Sequence, residues 1–579
     1  MTTSCFAECN QASREVGPLH PPLLTHTIGE DLDRTAARYP DRDALVECWS
    51  GRRWTYHELQ ADINAVALSL LAMGVSHGDR VGLWAPNCAE WVLIQYATAK
   101  IGAILTPINP AYRLPELRHV LKQSGISTVI ASAEYKGTNY LELLGKVQPD
   151  CSDLKRTLII NSSDWHALLR QGRHSDPRAL TRAQQACSAS NPVTIQYTSG
   201  TAAAPKGATL SHHNILNNAY FVGAALAYTD RDRLCLPVPL FHCFGMVLGT
   251  LACTIRGACI VLPAPAFNAA ATLQAIEQER CTAVYGVPTM FLAELSALDL
   301  DTYHLSTLRT GIMAGSPCPK TLLEEVAQRM GIPELTTSFG LTETSPTAVQ
   351  CRATDPLDQR LTTAGPPLPH TEIKVADPDT GHTQPRGTPG EICIRGYLVM
   401  QGYWNDPGQT ANAVDNEGWM HSGDLGTMDR HGCITITGRI TDMIIRGGEN
   451  ISPREIEDVL RAHPDIQDVA VIGIPHPRLG EDLMAWIQPY PGADPPPPDT
   501  LRKYCANKLA HYKIPHEIRF VDALPTTATG KIRKTELRDA ARTLGPCADG
   551  PRNGTTPGSG EAARNQLTPN QGTSSQSCT

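Results

Sequence analysis

Between residues 43 and 285 the apolar positions follow two alternating rhythms. Short apolar runs predict strands at 43–47, 80–84, 128–131, 234–238, 259–262 and 282–285. Helical spacings lie between them: Leu59, Ile63, Val66 and Leu70 share one face of a helix over 55–73, and further helices run through Trp91 and Ile94 and over 116–123. Strands separated by helices favour parallel sheets with right-handed crossovers. From about Thr371 the rhythm shortens to strands at 372–375, 391–394 and 434–436 with turn residues between them. After Gly438 a small separate α/β unit is expected, with helices at 453–462 and 499–509, strands at 468–472 and 518–520, and a Pro-rich surface loop over 489–498. Neither end is periodic. Residues 1–21 are polar, 545–579 are rich in Gly, Pro, Ser, Thr, Asn and Gln, and both are expected to be disordered.

Composition narrows the function classes. The chain has 579 residues, and 41% are hydrophobic, enough for a sizeable core. A formal charge of −8 argues against a general nucleic-acid binder. Met1 to Asn10 has neither Lys nor Arg and no apolar core, so no secretory signal is expected. The most apolar stretches, such as 246–255, fall short of the ~20 residues of a spanning helix, so the chain reads as soluble. Its 18 Cys contain no CxxC pair and no zinc-ligand spacing, the pattern of reduced thiols in a cytoplasm.

Five stretches carry candidate chemistry. Tyr197-Thr198-Ser199-Gly200-Thr201-Ala202-Ala203-Ala204-Pro205-Lys206-Gly207 follows a strand-like run, and its hydroxyls, glycines and Lys could cradle phosphate oxygens. In Ser338-Phe339-Gly340-Leu341-Thr342-Glu343, Phe339 could stack on a base and Glu343 could hold Mg²⁺. Within 418–426, Asp424 could accept both hydroxyls of a ribose. The fourth stretch is 438–451, and the fifth, 525–534, carries Lys531 after Gly530 in a polar loop. Taken singly, each also fits an ordinary turn or strand end.

In this order the five stretches resemble the adenylate-forming superfamily, which includes acyl-CoA synthetases, firefly luciferase and peptide-synthetase adenylation domains. The resemblance covers roughly 22–543, and 209–212, 239–242, 285–289 and 443–450 read like the medium-chain acyl-CoA synthetases. It implies an α/β fold: a large multi-subdomain N-terminal domain over 22–437 with mixed and parallel sheets packed by helices. A hinge at 438–442 then leads to a small mobile α+β domain over 443–544.

It also implies two reaction steps. A carboxylate attacks the α-phosphate of ATP·Mg²⁺, giving an acyl-adenylate and pyrophosphate, and the CoA thiol then displaces AMP. By resemblance Thr198, Ser199, Gly200, Thr201, Lys206 and Gly207 enclose the β- and γ-phosphates, and Gly315, Ser316, Pro317 and Phe339 frame the adenine. Thr342 contacts the α-phosphate, Glu343 the Mg²⁺, and Asp424 the ribose, with Arg439 beside it. Lys531 reaches the bridging oxygens during adenylation, His242 stands near the acyl carboxylate, and Gly447 and Gly448 line the pantetheine arm. Alternatives are delivery to a carrier-protein phosphopantetheine in place of CoA, and a degenerate nucleotide-binding protein.

Two departures matter. The family has Thr-Gly where this chain has Ala202-Ala203, and losing one hydrogen bond to phosphate could cost about 1.5–3 kcal/mol. Ala202→Thr with Ala203→Gly is therefore expected to raise kcat/KM for ATP, and an unchanged value refutes this reading. Thr441 stands where the family usually has Asp or Lys. Behind His242 the expected acyl pocket is apolar, and Gly245 and Gly286 are expected to leave room for a medium chain. Phe241 is followed by His242 and Cys243, with no Asp to hold an α-amino group, so an amino acid substrate is not expected.

Overall fold

A computed structural model describes residues 11–198, 205–297, 302–446, 449–476, 479–506, 508–509, 511–527 and 530–543. The chain divides into two compact units, the first reaching Ile436 and the second beginning at Thr437. Two large sheets dominate the first unit. One runs Gly402–Tyr403, Lys206–Ser211, Pro192–Thr198, Ile104–Pro107, Arg80–Trp84, Thr128–Ala131 and Arg156–Ile159, in that spatial order. The other runs Val349–Gln350, Glu334–Phe339, Thr310–Met313, Ala283–Gly286, Arg233–Cys235, Cys259–Leu262, Asp43–Glu47 and Arg52–Thr55. Their central strands are parallel and buried on both faces, which is why they read as unbroken apolar runs. Helix Tyr56–Ala72 starts where Thr55 and Glu58 cap each other, the Glu58 carboxylate accepting the Thr55 N–H at 2.9 Å. Among the described residues no helix is long and apolar enough to cross a membrane, and the cysteines are free thiols.

A third, antiparallel sheet corrects the expectation of disorder over 1–21. Arg14–Val16 forms its edge strand against Thr371–Ala376, and Arg386 clamps the segment through the Glu15 carboxylate at 2.6 Å. A three-residue edge strand leaves no periodic trace, so the pairing is invisible in the sequence. Residues 1–10 and the expected disordered tail at 545–579 lie outside the described residues. Beyond Thr371–Ala376 the sheet continues with Gly390–Gly396, Met420–Met428 and Ile434–Arg439.

In the second unit the strands Ile444–Arg446 and Glu449–Ile451 extend a hairpin made of Ile466–His476 and Gly480–Pro489, and Glu517–Phe520 lies parallel to the latter. Gly480–Pro489 was not among the expected strands. Leu483, Ala485 and Ile487 enter one core, with Ile456 and Leu501, while Met484 and Trp486 enter another, with Leu537. Helices cover both faces, so the strand keeps the unbroken apolar run Leu483 to Ile487, the same signal that marks the central parallel strands of the first unit.

One core feature predicts a measurable pH effect. Glu294, on helix Pro288–Leu295, is fully buried, and its carboxyl oxygens find no hydrogen-bond partner among the described residues. Burial pushes its pKa up to about 8. The unfolded chain releases this proton near the ordinary carboxyl pKa and the folded chain only near 8, so stability falls as pH rises between the two and levels off above. Glu294→Met removes that slope. Its gain in stability over the parent, read from denaturant melts, should grow by roughly 3–5 kcal/mol between pH 4.5 and pH 8.

Candidate active site

In a parallel sheet every strand delivers its following loop to the same edge, and α/β folds bind ligands beyond those carboxyl ends. Four neighbouring strands do so here. Cys235 is level with Val284, Gly286 with Met313, and Met313 with Thr337. The loops that follow contain His242, Val287, Gly315-Ser316-Pro317 and Gly340 to Glu343, so one edge gathers five of the expected adenine, α-phosphate and carboxylate residues, with Phe339 at its strand's last position. Gly315 has φ +89°, a conformation that favours glycine. Gly340 is required by packing, since a Cβ there would stand 2.0 Å from the Pro346 carbonyl oxygen.

Side chains link these loops. Cys243 is wholly buried; burial and then the Glu343 carboxylate push its thiol pKa well up, and a hydrogen bond with Thr342 opposes the rise. His242 Nδ1 accepts the Phe244 N–H at 3.1 Å, so in the neutral ring the proton sits on Nε2. The His242 carbonyl accepts the Gly245 and Met246 N–H groups and opens the wide helical turn Phe244–Leu251. The reading of Gly245 and Gly286 as open space is corrected. A Cβ at Gly245 would lie 2.3 Å from the Pro239 carbonyl oxygen, and one at Gly286 would lie 2.9 Å from the Phe291 ring. Both glycines admit the protein's own atoms.

The strands on either side of the expected phosphate loop pair antiparallel. Thr198 and Lys206 are paired across the strands Pro192–Thr198 and Lys206–Ser211, while Ser199, Gly200, Thr201 and Ala202-Ala203 lie outside the described residues. Gly207 fits against Ile195, which a Cβ would approach to 2.6 Å. Lys206 Nζ donates to Gln409 Oε1 at 2.7 Å and stands 5.2 Å from the Tyr403 ring centroid. The Tyr403 hydroxyl in turn donates to Glu343 Oε1 at 2.8 Å. A continuous chain therefore runs from the phosphate hairpin to the metal candidate. Burial and the Glu343 carboxylate push the Tyr403 pKa well up.

Glu343 itself is 8% exposed, and its Oε2 accepts no hydrogen bond among the described residues, which suits one carboxylate bond to a hard cation. Sequence reasoning missed Tyr403 and Gln409. No local motif marks them, and only the pairing of Tyr403 with Ala208 brings them in. Tyr403→Phe is expected to leave the fold intact and to raise the Mg²⁺ concentration needed for half-maximal adenylation roughly tenfold, as a magnesium titration would read.

Asp424 is 5% exposed, and its N–H donates to Ser422 Oγ at 3.0 Å. Arg439 is the exposed last residue of Ile434–Arg439. Lys531 is exposed in a tight turn: its carbonyl accepts the Thr527 N–H at 2.7 Å and its own N–H donates to Thr527 Oγ1 at 3.1 Å. Gly530, at φ +80°, makes that turn possible. Gly447 and Gly448 lie outside the described residues.

Comparison with known proteins agrees with this geometry. Residues 32–404 match the AMP-binding enzyme model, and 455–531 match the AMP-binding enzyme C-terminal domain. A putative acyl-CoA synthetase, YngI of Bacillus subtilis (strain 168), is 43% identical over 536 residues, covering 89% of this chain and 97% of that one. The mitochondrial medium-chain acyl-CoA ligase ACSF2 of Danio rerio is 40% identical over 538 residues, covering 90% and 89%. Among solved structures, the anthranilate CoA ligase AuaEII in complex with anthranoyl-AMP superposes with a TM-score of 0.82 at 28% identity, over 90% of this chain and 98% of that one. ATP-bound MatB from Rhodopseudomonas palustris gives 0.77 at 28%, over 89% and 99%. The chain belongs to the AMP-binding enzyme family, among its acyl-CoA synthetases, AMP-forming acid–thiol ligases that use ATP, Mg²⁺ and CoA.

Proposed function

We propose that this enzyme activates a medium-chain fatty acid as its acyl-adenylate and transfers the acyl group to CoA in the cytoplasm. The observation that carries this reading is the shared carboxyl edge of four parallel strands, joined to the phosphate hairpin through Lys206, Tyr403 and Glu343. The surroundings of His242 are apolar, with Phe244 stacked on Tyr285 at 5.5 Å, which is the chemistry an alkyl chain needs. The relatives named as medium-chain ligases support the same acid class.

In the first step the carboxylate oxygen attacks the α-phosphorus, and pyrophosphate leaves. Thr198, Lys206 and Gly207, with Ser199, Gly200 and Thr201, hold the β- and γ-phosphates. Gly315, Ser316, Pro317 and Phe339 frame the adenine. Thr342 donates to the α-phosphate, and Lys531 offsets the charge that grows on the bridging oxygens. Glu343 holds Mg²⁺, which when bound neutralises phosphate charge. Asp424 takes the ribose hydroxyls and Arg439 supports it. In the second step the CoA thiol attacks the acyl carbonyl and AMP departs. His242 orients the carboxylate, and Gly447 and Gly448 line the pantetheine arm. The 438–442 segment is the hinge between the domains at 22–437 and 443–544 that exchanges the two steps.

A panel of straight-chain and aryl carboxylates of increasing length, each incubated with ATP and Mg²⁺ with and without CoA, tests the proposal by mass spectrometry. Acyl-CoA from a medium-length window is expected. Acyl-AMP that accumulates despite CoA would instead assign a carrier-protein acceptor.

A further inference from the structure

The strand bearing Asp424 is not regular. Cys393 lies opposite His421 and Glu391 opposite Leu425, so two steps along Gly390–Gly396 are matched by four along Met420–Met428. The surplus bulges out at 422–424, with Gly423 at φ +68°. A bulge frees backbone groups from the ladder, and here one of them is met by a buried acid. Glu391, 8% exposed, accepts the Gly423 N–H on Oε1 at 3.0 Å and faces His421 Nδ1 with Oε2 at 2.8 Å. His421 Nε2 lies 3.5 Å from Asp415. Asp415 Oδ1 accepts the Glu417 and Trp419 N–H groups, each at 2.9 Å. The residue before the bulge and the glycine at its centre are thus tied to side-chain carboxylates.

We propose that Glu391 is a positioning residue of the nucleotide site, with His421 as its partner: together they fix the 422–424 bulge so that Asp424 is set for a ribose diol before ATP arrives. No motif in the sequence singles out either residue, and Glu391 acts through Gly423 rather than on the nucleotide. The inference rests on the reading of Asp424 as the ribose ligand.

The test compares ATP with 2′,3′-dideoxy-ATP, which lacks the diol, in the full-length enzyme. Glu391→Ala should raise the KM for ATP roughly tenfold with kcat within about twofold, and should shrink the preference for ATP over the dideoxy analogue by the same factor. Glu391→Gln keeps an oxygen for Gly423 and should recover most of both. If the Ala variant fails to fold, His421→Ala carries the test: it should lose the preference for ATP over the dideoxy analogue to a smaller degree, and the absence of such a loss would overturn the proposal. Equal losses with the two nucleotides would overturn the proposal, because a general structural defect does not sense the diol. A wild-type enzyme that does not distinguish the nucleotides would overturn the ribose reading itself, a separate failure. Cys393 Sγ lies 3.7 Å from His421 Nδ1, so the cluster also has donors for a metal. A Co²⁺–thiolate absorption band, lost in Cys393→Ser, would assign it to a metal and overturn the proposal as well.

Discussion

Lys531→Ala is expected to remove adenylation and to spare thioester formation. When the carboxylate attacks, negative charge grows on the oxygen bridging the α- and β-phosphates. A cation aimed there stabilises the transition state more than bound ATP. Losing one such donor typically lowers the rate by roughly 10²–10³. The second step has already released pyrophosphate and no longer needs that charge. ATP–pyrophosphate exchange should therefore fall by that factor, while acyl-CoA formed from supplied acyl-AMP should change by less than about threefold. Lys531 is exposed, and its backbone hydrogen bonds with Thr527 are ones that alanine retains. A parallel fall in both half-reactions would contradict the role.

The second large effect is expected at Glu343. Glu343→Gln keeps the volume and an oxygen for the Tyr403 hydroxyl, and removes the charge. A neutral amide is a poor ligand for a hard cation. Adenylation should fall by roughly 10² or more, with partial recovery at high Mg²⁺. Tyr403→Phe should shift the Mg²⁺ requirement alone. The two variants separate the group proposed to hold the ion from the group that holds its carboxylate. Equal kcat for Glu343→Gln and wild type at ordinary Mg²⁺ would exclude Glu343 as the metal ligand.

Much of the fold could be read from the sequence because burial on both faces leaves unbroken apolar runs. Cys259–Leu262 and Thr128–Ala131 were placed at their observed ends. The strand Gly480–Pro489 carries the same signal in its run Leu483 to Ile487, yet it is absent from the strands expected above, and the edge strand Arg14–Val16 is too short to carry a period. Candidate site residues inside motifs stand out for a different reason. Phosphate and metal chemistry restricts which residue types can serve, and Glu343 and Asp424 stand out by type and spacing. Tyr403 and Glu391 do not, because the roles proposed for them arise from strand pairing and not from a local motif. Gly245 and Gly286 mark a further limit. A missing side chain is visible in sequence, but what fills the space is not, and here it is the Pro239 carbonyl and the Phe291 ring.

The central claim, activation through an acyl-adenylate, is tested most directly by following the carboxylate oxygen. Medium-chain acid labelled with heavy oxygen in both carboxyl positions is incubated with the enzyme, ATP, Mg²⁺ and CoA, and the nucleotide product is weighed. If the carboxylate attacks the α-phosphorus, one labelled oxygen leaves with AMP when the thiol displaces it. AMP carrying one heavy oxygen, formed in step with acyl-CoA, is the predicted result. Unlabelled AMP, or label in orthophosphate alongside ADP, would contradict the account.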